Sequence, residues 1–62
     1  MAEHAEYTTE QYDQEYALFS RRPHWELRNV KRALTSFRWS NTSVQEARLA
    51  AVEAIMSEKG WL

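Results

Sequence analysis

No cysteine occurs among the 62 residues, and glycine and proline occur once each. Without cysteine the chain forms neither a disulfide framework nor a thiolate metal site, a pattern that fits a reducing compartment. The two histidines, His4 and His24, stand far apart, which argues against a histidine-based structural zinc site. A lone glycine, Gly60, excludes the Gly-rich loops that cradle phosphates, because Walker and dinucleotide-binding motifs need several. No apolar run approaches the ~18 residues that suggest a membrane span. The opening stretch MAEHAEYTTE is polar and acidic, unlike a secretory signal with its basic and then apolar regions. The chain reads as soluble and cytoplasmic, with no membrane partner.

Catalytic parts are missing as well. A nucleophile needs a base within hydrogen-bond reach. His24 is the only histidine inside an expected element, and no serine pairs with it in a recognisable motif. Its nearest carboxylate, Glu26, would face about 160° around a helix from it. A ligand cleft of ~300–1,000 Å³ is also hard to form in so short a chain. The expectation is a non-enzymatic protein with no cofactor and no metal, in which His24 is a helix-start residue, exposed or lightly packed.

What is present is aromatic and charged. A chain of this size buries only ~60% of the surface its unfolded form exposes. Such a core rarely yields more than ~3–5 kcal/mol without staples. Eight aromatics (Tyr7, Tyr12, Tyr16, Phe19, Trp25, Phe37, Trp39 and Trp61) offset part of that shortage. Self-association or a partner would add stability by mass action, so a homo-oligomer is among the partner classes to consider.

The formal net charge of −1 conceals a division along the chain. Residues 1–20 carry Glu3, Glu6, Glu10, Asp13 and Glu15 and no lysine or arginine. Residues 21–38 carry Arg21, Arg22, Arg28, Lys31, Arg32 and Arg38 against Glu26 alone. This asymmetry implies either an internal acidic-to-basic contact or a basic surface that meets a partner. The early carboxylates are most simply a solvated face and helix-start charges.

Three helical segments follow from spacing and caps, near 8–20, 23–38 and 43–59, preceded by a frayed acidic N-terminus at 1–7. In the first, Thr8 with Gln11 matches a capping box, and Tyr12, Tyr16 and Phe19 make a stripe at ordinary core spacing. Pro23 disfavours helix at Arg22 and so ends that segment near Ser20. The second segment begins at Pro23, where a missing N–H costs nothing. Its Leu27, Val30, Leu34 and Phe37 turn to the core, spanning with Ala33 a sector of roughly 120°. The third has two legal capping boxes, Ser43 with Glu46 and Thr42 with Gln45. Val44, Ala51, Val52 and Ile55, flanked by Leu49 and Met56, form its apolar side, while Glu46, Glu53 and Ser57 point away. Gly60 is the natural terminator, with Lys59 complementing the helix end and Trp61 falling near Met56 in a Schellman motif. Short connections favour antiparallel neighbours and an all-α, small three-helix bundle, with a hairpin of the second and third helices as the fallback.

The candidate site is the far side of the second segment. It carries Trp25, Arg28, Arg32 and, if the helix lasts that far, Trp39, with Arg21, Arg22 and Arg38 as rim charges. Three readings compete for it. As structure, the tryptophans cover the tyrosines of the first helix and the arginines pair its carboxylates, each exposed pair contributing ~0–1 kcal/mol. As a protein-binding face, Trp25, Arg28 and Arg32 share one helix side and are of the types enriched in interface hot spots. As a nucleic-acid surface, the basic residues neutralise phosphates and the indoles stack on unpaired bases. The last is weakened by a third helix poor in base-reading side chains and by a pI near 6.1, against ~9 or more for the usual nucleic-acid footprint. The expected function is a small binding or regulatory module that grips a protein, with nucleic acid as the alternative. A tiny, cysteine-free helical chain without an enzymatic motif resembles in type the phage-encoded accessory and host-inhibitory proteins, a likeness of size and composition that rests on no motif.

Overall fold

The computed structural model describes residues 5–62. Its elements are α1 (Thr9–Phe19), α2 (His24–Ser36), a single 3-10 turn (Arg38–Ser40) and α3 (Ser43–Glu58), with no strand among the described residues. The chain is an all-α three-helix bundle. The frayed stretch expected at 1–7 lies partly outside the described residues; Ala5 to Tyr7 are not helical, and the Tyr7 ring stacks on Tyr12 at 6.3 Å.

Local chemistry explains each helix end. Thr8 and Gln11 cap α1 reciprocally, side chain to backbone, at 3.1 and 2.9 Å. At α3 the same device is made by Thr42 and Gln45, at 3.2 and 2.8 Å, rather than by Ser43 and Glu46. Pro23 stands just before α2, its carbonyl accepting from the N–H groups of Glu26 and Leu27. The C-terminus of α3 is a Schellman motif: Trp61 N–H donates to the Met56 carbonyl at 2.7 Å and Gly60 N–H to that of Ser57 at 3.2 Å. Gly60 there has φ +72°, the left-handed region in which a Cβ is strained.

The second helix is shorter than its apolar pattern implies. It stops at Ser36, and Phe37 leaves the helix at φ −130°, ψ 62°. The hydroxyls of Thr35 and Ser36 turn back onto the carbonyls of Lys31 and Arg32 at 2.8–3.2 Å, and the Asn41 amide donates to that of Leu34 at 2.8 Å. The Asn41 amide thus satisfies one of the last carbonyls of α2, while the two hydroxyls bond back to carbonyls one turn earlier, a local pairing that competes with regular helix. Phe37, expected in the core stripe, is instead 65% exposed.

The helix central in space is α3, not α2. It packs extensively on both α1 and α2, which meet each other little, so the two flank it in a slab whose Cα trace spans 33 × 24 × 14 Å. Its burial is correspondingly broad: Ala47, Leu49, Ala51, Val52, Ile55 and Met56 are all in the interior. Small alanines let both neighbours approach closely. The core joins Val52, Ile55 and Met56 of α3 to Phe19 of α1 and Leu27 of α2, with Tyr16, Val30 and Trp61 packed around them. Val44, placed on the apolar side by its spacing, is exposed because it lies at the first turn, beyond that cluster.

Two carboxylates expected on solvated faces lie inside. Glu46, thought to point away, is 3% exposed, and Glu15 of α1 is also buried. Each is balanced by a guanidinium. Arg38 donates to Glu46 from Nε and Nη2 at 3.1–3.3 Å, and Arg48 donates to Glu15 from Nε at 2.8 Å. Because Thr42 and Gln45 already cap α3, Glu46 is free to take this inward role.

Candidate functional site

Because α3 lies between its neighbours, α2 turns one full side to solvent. Trp25, Arg28, Asn29, Arg32 and Ser36 follow each other along that side, and all are exposed. Trp25 is 60% exposed and does not cover the tyrosines of α1. Arg28 and Arg32 form no ion pair among the described residues, so the expected pairing with the α1 carboxylates is not made. The geometry gives the reason: the acidic and basic helices sit on opposite flanks of α3.

Trp39 stands apart from this face. It belongs to the 3-10 turn after α2, 71% exposed, and its ring meets Phe37 edge-to-face with centroids 6.4 Å apart. Trp25 stands in the first turn of α2, whose axis rises about 16 Å from there to Ser36 at 1.5 Å per residue, and Trp39 lies beyond that end in the 3-10 turn. Arg28 and Arg32 lie along α2 in sequence between the two exposed indoles.

A polar clamp holds the 3-10 turn. Glu46 receives Arg38 in a fork and also accepts from the Asn41 amide at 2.9 Å, while Asn41 caps Leu34 of α2. The turn that displays Phe37 and Trp39 is therefore tied to both α2 and α3. The Glu46 hydrogen bonds raise the pKa of Arg38 above its already high value, fixing the positive charge there. Arg38, one of the candidate rim charges, is thus engaged by Glu46 while its side chain stays 42% exposed. Arg22 is partly committed too, donating to Glu26 at 2.7 Å with its guanidinium 5.6 Å from the centre of the Phe19 ring. Of the three rim residues, Arg21 alone is exposed without an ion pair among the described residues.

At the other end of the slab, His24 stacks on Trp61 with centroids 4.7 Å apart, and Lys59 lies 5.2 Å from that ring. His24 is half-buried, a packed helix-start residue. The Tyr16 hydroxyl donates to Glu58, and this hydrogen bond raises the phenol's pKa above its usual value.

Among the described residues there is no pocket and no cluster of metal-ligating side chains. Likewise no described helix is long and apolar enough to cross a membrane. The Phe37–Trp39 knob and the clamp behind it were missed by apolar periodicity. Their signal in the sequence was the run of poor helix formers Thr35 and Ser36, followed by the hydrogen-bonding stretch Ser40-Asn41-Thr42. No family model, curated protein or solved structure matches this chain.

Proposed function

We propose that the chain is a small, non-enzymatic binding module that grips a protein through the outward side of α2 and the Phe37–Trp39 turn. The observation that carries this reading is the exposure of Trp25 and Trp39, 60% and 71%, beside two guanidiniums with no ion pair among the described residues. Exposed indoles next to arginines are costly to leave in water and are the residue types that dominate interface hot spots, where one anchor is worth ~2 kcal/mol or more. Trp25, Arg28 and Arg32 supply one anchor group, and Phe37 with Trp39 the other. A regulatory role on a host protein, in the cytoplasm and of the phage accessory type, is the setting we infer for such a module.

The test separates binding from folding. Trp25→Ala with Arg32→Ala should leave thermal melting nearly unchanged and abolish capture of the partner from cells that produce the protein. A collapse of melting would mean that the indole belongs to the fold. Nucleic acid is the second reading, supported by the same free guanidiniums beside stacking surfaces. It requires affinity that falls steeply between about 50 and 200 mM salt. No shift of single- or double-stranded probes at low salt would remove it.

A further inference from the structure

The outward side of α1 is the chemical opposite of the outward side of α2. Glu10, Asp13, Gln14, Ala17 and Leu18 are exposed on α1, within a sector of about 140°. Glu10 and Asp13 form no ion pair among the described residues, and Leu18 is 48% exposed. The matching cations, Arg28 and Arg32, lie on the other flank of α3, so one chain cannot join the two sets. A second copy can.

We propose that the α1 side of one copy docks antiparallel on the α2 side of another, with Glu10 opposite Arg32, Asp13 and Gln14 opposite Arg28, and Ala17 and Leu18 opposite Trp25. The register follows from the order of the side chains. Glu10 to Ala17 and Arg32 to Trp25 are each seven residues, about 10.5 Å of helix. Run antiparallel, acid meets base at one end and Leu18 covers the Trp25 indole at the other. Run parallel, Glu10 would face the indole and Ala17 would face Arg32; Asp13 would still meet Arg28, but the Glu10–Arg32 pair and the Leu18 cover of Trp25 would be lost. Arg21 follows the end of α1 and falls beyond the contact, and Glu26 is held by Arg22. The two patches differ, so each docked pair leaves one acidic and one basic edge free, and growth continues unless a rotation closes the assembly. This inference rests on the reading of the α2 side as a protein-binding surface and names one partner for it.

Light scattering on the full chain tests it. At about 50 mM salt the weight-average mass should at least double between dilute and concentrated protein, and it should fall toward the monomer near 1 M, where screening shortens to ~3 Å. Glu10→Lys with Asp13→Lys, and separately Arg28→Glu with Arg32→Glu, should each give monomers. Mixing the two charge-reversed proteins should restore association, because each then offers what the other lacks. All four positions are exposed, and circular dichroism checks that the variants fold. If either does not, the neutral pairs Glu10→Gln/Asp13→Asn and Arg28→Gln/Arg32→Gln replace them and should also be monomeric. A wild-type chain that stays monomeric at every concentration, or a reversed variant that associates as wild type does, overturns the proposal. If that wild-type monomer still captures another protein through Trp25 and Arg32, self-docking fails while the binding face stands.

Discussion

Glu46 is a buried carboxylate in a chain with little stability to spare, so its partners decide its value. It accepts from Arg38 and from Asn41, and hydrogen bonds to a charged group contribute about 1.5–3 kcal/mol. Glu46→Ala should therefore remove about 1–3 kcal/mol in urea unfolding, a large share of the ~3–5 kcal/mol a core of this size supplies. The outcome against this account is a variant as stable as wild type. Tyr16 gives a different kind of test. Its donation to Glu58 raises the phenol's pKa above the usual value, meaning the folded state favours the protonated form. That contribution is complete below about pH 10 and is lost as pH rises through the higher folded value. Ultraviolet titration should show a late phenolate component that Tyr16→Phe abolishes, and the stability difference between the two proteins should vanish in strong alkali.

At the scale of the element, the two capping boxes offered by the start of α3 can be told apart by mutation. Thr42 is the acceptor in the structure, while the Ser43 hydroxyl accepts a 3.3 Å hydrogen bond from Gln11 of α1. Thr42→Ala should cost about 1 kcal/mol, and Ser43→Ala at most a few tenths, measured by thermal melting in parallel. The residues near helix ends also show what was legible beforehand. The cap at Thr8, the Gly60 terminator and the stripe of Leu27, Val30 and Leu34 were readable because they act within a turn of their own helix, whereas the start of α3 left two caps open, of which Thr42 with Gln45 forms. The end of α2 was not, since apolar spacing carried the pattern on through Phe37. What decided it were hydroxyls at Thr35 and Ser36 and an amide at Asn41 reaching back across seven residues. Glu15 and Glu46 were misplaced for a related reason. A carboxylate's burial depends on a guanidinium from another part of the chain, and no helical period records that.

The arrangement of the whole molecule explains why the candidate face was only half readable. A central α2 would have given its tryptophans something to cover. With α3 central instead, α1 and α2 become outer edges of opposite charge, and the residues Trp25, Arg28 and Arg32 remain unspent. Such a chain should gain stability from its own concentration if the two edges meet. Binding to the folded state adds RT ln(1 + [L]/Kd), about 2.7 kcal/mol at a hundredfold excess over Kd. For a domain of this size each kcal/mol moves the melting temperature by about 4–8 °C. The melting temperature should therefore climb by several degrees as protein concentration is raised tenfold above Kd at low salt. Near 1 M salt, with screening at ~3 Å, the climb should flatten. The slope is the readout rather than the temperature itself, because salt also alters the stability of the separate monomer. Glu10→Lys with Asp13→Lys should flatten the slope at either salt concentration, since it removes the acidic edge while leaving the core of Leu27, Val52 and Ile55 untouched. An equal climb in that variant would place the stabilising contact elsewhere on the surface, with the exposed Phe37–Trp39 knob the next to mutate.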